Sequence, residues 1–235
     1  MRRKRARDAA EVARDTTLTQ AQIASGITRR GIAPTGNVSQ TEPPAELRRR
    51  VANLAPGTYV GDILAEQDST LYRWPEHLSD AVRVYVEPTS TAPGWSPEYP
   101  QTARLVFEEW SEAGFPLRFT FVYDSVRADL SIHWRDRFPP SDGQRVGVTE
   151  RTQTSKYLIS HADVSIAMHD SAGHVFVPSV VAGILRHEIG HALGLNHATD
   201  PHSVMYRESA TLTIGASDRA TLRLLYLVPA GTLKD

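Results

Sequence analysis

Apolar and polar residues alternate along Val82-Arg-Val-Tyr-Val86, and the β-branched side chains at every second position predict a strand buried on one face. The period changes at Pro100 to Ala113, where Ala103, Val106, Phe107 and Trp110 recur at helical spacing before Gly114 and Pro116 end the run. Strands are expected over Arg118 to Tyr123 and Ala128 to Trp134, followed by a loop from Phe138 to Gly147 that contains Pro-Pro and Asp-Gly. Val146 to Glu150 and Leu158 to Met168 read as two more strands. Pro178 to Leu193 is expected as a helix, with Pro in its first turn and Gly194 at its end. Ser217-Asp218 caps a last helix through Leu227, whose Leu222, Leu225 and Tyr226 face inward. Such an order of elements predicts an α+β domain on one mixed sheet.

Before Ala81 the pattern is weaker. Residues 1–56 are rich in Arg, Thr, Gln, Gly and Pro and read as a basic, disordered arm, with a helical turn or two at Leu47 to Leu54. Residues 57–80 read as a transition or pro-segment. Its Ile63, Leu64, Leu71 and Trp74 are expected to pack onto the domain over 81–235. Trp74, Trp110 and Trp134 are assigned to the core.

Composition narrows the function. Apolar content of 40% and charged content of 23% suit a globular domain, and a net charge of −1 gives no reason to expect nucleic acid as a partner. The charge is uneven: residues 1–50 carry 11 Lys/Arg against 5 Asp/Glu. That basic start reads as a solvated tail. The absence of cysteine excludes disulfides, thiolate metal sites and cysteine nucleophiles. No apolar run is long enough to span a membrane, and the Arg-rich start lacks the apolar stretch of a signal peptide.

The chemistry concentrates in His187-Glu188-Ile-Gly-His191-Ala-Leu-Gly194-Leu-Asn-His197. Histidines four apart on a helix project from neighbouring turns, about 40° apart, so both imidazoles reach one ion. Val181, Leu185, Ile189 and Ala192 form the core face, and the histidines lie roughly 130° from it, toward a cleft. Gly194 allows the chain to leave the helix and turn back, which brings His197 in as a third ligand. Three neutral imidazoles leave one position for water, as at a catalytic zinc. Glu188, beside the metal without being a ligand, is the expected general base for attack of that water on a peptide carbonyl.

The extended motif resembles that of the metzincin zinc metallopeptidases, and Met205, eight residues after His197, resembles the Met-turn of their matrixin branch. The resemblance implies a zincin fold: a mixed, mainly parallel twisted sheet, an active-site helix, the Met-turn and a C-terminal helix. It implies one catalytic Zn2+ above Met205, a pocket walled by the segment after Tyr206, and protein or peptide substrates. It also implies a secreted or cell-envelope location for a monomer, with a cytoplasmic one as the alternative. Ser160 to Met168 is expected to be the strand edge that pairs with extended substrate.

The sequence departs from animal matrixins in two respects. Their second, structural Zn2+ and Ca2+ sites have no matching spacing here, although His161, Asp163, His169, Asp170 and His174 cluster in the corresponding region. Their cysteine latency switch is impossible. Tyr59-Val-Gly-Asp62 resembles the segment by which astacins place an aspartate on zinc, which makes Asp62 a candidate switch. Tyr206 stands one place short of the tyrosine that ligates zinc in astacins, and His202 reads as a loop residue. Two other functions fit the same motif: a catalytically inactive zinc-binding interaction module and a hydrolase of non-protein amides.

Overall fold

The structure is a computed structural model and describes residues 27–33, 42–75, 81–208 and 211–234. The basic start of the expected arm lies outside these residues. The elements are β1 (Ile27–Ala33), α1 (Pro44–Leu54), α2 (Val60–Glu66), β2 (Thr70–Leu71), β3 (Val82–Val86), α3 (Tyr99–Ser111), β4 (Phe119–Val122), β5 (Leu130–Arg135), β6 (Gly147–Thr154), β7 (Ile159–Ala167), α4 (Pro178–Ala192), α5 (Ala216–Leu227) and β8 (Gly231–Thr232).

Six strands form one sheet in the order β1-β6-β7-β5-β3-β4. Every adjacent pair is parallel except β6 and β7, which form an antiparallel pair. This is the mixed, mainly parallel sheet expected of the fold. The Val82, Val84 and Val86 side chains of β3 are all buried, as their alternation requires. Helix α3 lays Ala103, Val106, Phe107 and Trp110 on this core, and Phe107 meets the rings of Phe119 and Phe121 at 4.8 and 5.9 Å. Trp74, Trp110 and Trp134 are buried, in accord with the core assignment.

Three findings differ from the sequence expectation. Ile27–Ala33, inside the stretch read as an arm, forms a strand parallel to β6. Helix α1 runs for 11 residues instead of a turn or two, because Leu47 and Val51 find partners in distant parts of the chain that local propensity does not register. β7 is not a free edge. The hairpin with β6 takes one side of it and β5 takes the other; β1 in turn covers β6 from Thr149 onward, which leaves the start of β6 at Gly147 to line the cleft.

The segment around α2 is firmly packed. Tyr59, Val60, Ile63, Leu71, Tyr72 and Trp74 belong to the main core, and β2 pairs antiparallel with β8 at the opposite end of the chain. The Trp74 indole donates to the Ala192 carbonyl at 2.9 Å, and the Tyr226 hydroxyl donates to the Leu193 carbonyl at 2.9 Å. These bonds fix the C-terminal end of α4, where the histidines stand.

Candidate metal centre

Helix α4 starts with Pro178 in its first turn, where the missing N–H costs nothing, and runs to Ala192. Its end is a Schellman turn: Leu195 N–H donates to the Gly190 carbonyl and Gly194 N–H to that of His191, both at 3.0 Å. Gly194 has φ +114°, and a Cβ there would lie 2.7 Å from the Tyr72 carbonyl oxygen. Only glycine suits both the backbone angle and the space. The reversal carries His197 back over His187 and His191.

His187, His191 and His197 each offer a ring nitrogen, and the three atoms lie within 4.8 Å of one another. The Nε2 atoms of His187 and His191 are 3.0 Å apart. Each imidazole is turned by an acceptor at Nδ1: the Val204 carbonyl for His187 at 2.7 Å, the Leu195 carbonyl for His191 at 3.0 Å, and Glu66 Oε1 for His197 at 3.0 Å. A proton held at Nδ1 leaves the Nε2 lone pair for a metal. Burial, with His197 close by, pushes His187 down to about 4, and burial likewise holds His191 well below its ordinary value. Both therefore stand neutral at neutral pH, the form that ligates. The donor set and its geometry fit a divalent ion such as zinc.

Glu188 lies on the same helix, buried against the start of β6. Thr149 donates its hydroxyl to Glu188 Oε2 at 2.6 Å, and the same hydroxyl is 2.9 Å from the Glu188 carbonyl oxygen. Burial pushes the carboxyl up to about 7, against the opposing pull of the Thr149 bond. Gly147 gives the carboxylate its space, since a Cβ there would stand 2.4 Å from Oε1.

Met205 is fully buried beneath the histidine helix, against Gly190 and near Trp110. Its turn is tied down by Asp218 in the first turn of α5. That carboxylate, itself fully buried, accepts the Ser203 hydroxyl, Val204 N–H at 3.3 Å and Gly215 N–H at 2.7 Å. One acid thereby caps a helix and positions the segment whose carbonyl orients His187.

Beside the triad a cavity of about 420 Å³ opens, lined by Val180, Ile184, Val204 and Leu212, by His187 and Glu188, and by the polar Asp142, Gln144 and Arg145. Arg207, Thr211 and Leu212 supply its wall after Tyr206, where the resemblance put it.

Several candidates fall elsewhere. Asp62 Oδ2 accepts the backbone N–H and hydroxyl of Thr199 at 2.8 and 2.9 Å, so it braces the loop after His197 and does not point at the three nitrogens. The other acidic and histidine residues form separate pairs: His161 with Asp163 at 3.2 Å, His169 with Asp136 at 2.8 Å, and His174 with Asp170 at 2.9 Å. Among the described residues the triad is the one group able to hold a metal. Tyr206 donates its N–H to the Ser203 carbonyl, and His202 is exposed in its loop.

Sequence reasoning missed Glu66 and Thr149. Neither belongs to a motif, and each reaches the site across 131 and 39 residues of chain. Glu66 is one of several acids in its segment, with Asp62 and Asp68 close by, so nothing local singles it out.

A family model described as matrixin matches residues 82–227. The chain is 29% identical over 118 residues to a putative matrix metalloproteinase of Heliothis virescens ascovirus 3e, covering 45% of this chain and 24% of that protein. It is 32% identical over 138 residues to matrix metallopeptidase-21 of Danio rerio, covering 54% of this chain and 22% of that protein. The chain thus spans less than a quarter of the length of these curated relatives.

Proposed function

Because the chain belongs to the matrixin family, we propose that it is a zinc-dependent endopeptidase in which His187, His191 and His197 hold the ion and Glu188 is the general base. One observation carries the reading: three imidazoles, each turned by its own Nδ1 acceptor, aim their Nε2 atoms at one point, with a buried carboxylate alongside. Zinc, when bound, acidifies a water and polarises a substrate carbonyl. Thr149 holds Oε2 of Glu188, which leaves Oε1 to take a proton and return it to the departing amine.

The substrate is a peptide lying along the cleft beside the start of β6. The apolar cavity next to Glu188 accepts a large apolar side chain on the residue following the cleaved bond. A secreted or cell-envelope location accords with the word matrix in the names of both relatives.

A mixed peptide library incubated with zinc-loaded protein tests the reading. Cleavage that stops with chelator and in Glu188→Ala, with zinc still bound to that variant, is the expected result. No cleavage by fully metallated protein would overturn it in favour of a binding module.

A further inference from the structure

Helix α2 precedes the stretch matched by the family model, yet it touches the third histidine directly. Glu66, its last residue, places both carboxylate oxygens on His197. Oε1 accepts from Nδ1 at 3.0 Å and Oε2 from the backbone N–H at 3.1 Å. Arg207 donates to the same Oε1 at 3.0 Å, and the Glu66 side chain is only 15% exposed. Taking the metallopeptidase reading as given, we propose that Glu66 is a positioning residue for the metal, fixing the tautomer and ring plane of His197 so that Nε2 faces the ion.

The two other histidines are turned by main-chain carbonyls, which are neutral acceptors. His197 alone is turned by a carboxylate, and it lies beyond the helix, on a loop that regular secondary structure does not hold. Gripping the ring and the amide of one residue with one carboxylate removes the rotation about χ1 and χ2 that such a loop would otherwise allow. A negative acceptor at Nδ1 also raises the basicity of Nε2 and so strengthens its bond to a cation. Asp62, one turn earlier on α2, braces the same loop at Thr199 without touching an imidazole. It is the natural control for a purely structural role.

The test uses the full chain with zinc as the probe. Affinity is measured by competition with a chromophoric chelator for wild type, Glu66→Gln and Asp62→Asn. Cobalt(II) substitution gives a second readout through its visible ligand-field bands. Glu66→Gln should weaken zinc binding by about 10- to 100-fold and shift the cobalt bands, whereas Asp62→Asn should change affinity by less than about threefold and leave the bands in place. If Glu66→Gln folds poorly, Glu66→Asp is read in the same way, since it keeps the charge but withdraws the carboxylate. Zinc affinity in the Glu66 variants equal to wild type would overturn the proposal, as would an equal loss in Asp62→Asn. Wild-type protein that takes up no zinc is a separate outcome, and it would remove the metallopeptidase reading itself.

Discussion

Replacing Gly147 with alanine probes the proposed general base, Glu188, without touching a histidine. The added Cβ would stand 2.4 Å from Glu188 Oε1 and 2.7 Å from its Cδ. Gly147 is not among the glycines with positive φ, so the strand backbone tolerates alanine and the conflict falls on the Glu188 side chain, whose Cγ would also stand only 2.6 Å away. Carbon–oxygen contacts relax at roughly 3.3 Å, which requires Glu188 to retreat by about 1 Å. That retreat also disturbs the 2.6 Å bond from Thr149. A displacement of this size at a reacting group costs on the order of 10²-fold in turnover, or about 2.7 kcal/mol of transition-state stabilisation. Stability should fall by less than about 1 kcal/mol, because the displaced atoms end a flexible side chain. The assay pairs kcat/KM on a fluorogenic peptide with zinc content and urea unfolding. A zinc-loaded, stable Gly147→Ala protein with turnover within about threefold of wild type would refute the reasoning.

Three further substitutions test the surrounding frame. Gly194→Ala forces a non-glycine residue to φ +114° and a Cβ against the Tyr72 carbonyl; it should cost about 2–4 kcal/mol and lower Tm by roughly 5–15 °C. An unchanged Tm would mean that the turn relaxes freely. Asp218→Ala leaves the buried Ser203 hydroxyl and two N–H groups without their acceptor, a loss of about 3 kcal/mol or more by urea unfolding. In metal-free protein Glu188 is raised from 4.5 to about 7. Between these values the unfolded chain ionises first, so wild-type stability should fall as pH rises, by about 3 kcal/mol relative to Glu188→Gln. Parallel pH profiles for the two proteins would contradict that assignment.

Much of this arrangement is legible in the chain. The strands at Val82, Ala128 and Leu158, and the helices at Pro100 and Pro178, announce themselves because their periods are set by one buried face. The triad is legible because two of its histidines share a helix and the third follows a glycine turn within six residues of His191. What fails to appear locally is set by tertiary pairing. No alternation tells β7 that β6 will fold back onto it, and nothing around Glu66 marks it as the partner of His197. Thr149 resembles any strand threonine until α4 lies against it.

The three acceptors that steer the imidazoles are not equally open to change. Those belonging to Val204 and Leu195 are part of the polypeptide itself, and no side-chain replacement deletes them. Glu66 is different, since a single codon decides whether it is there. Of the three acceptors it is therefore the one that substitution can remove outright, and it sits ahead of the stretch matched by the family model.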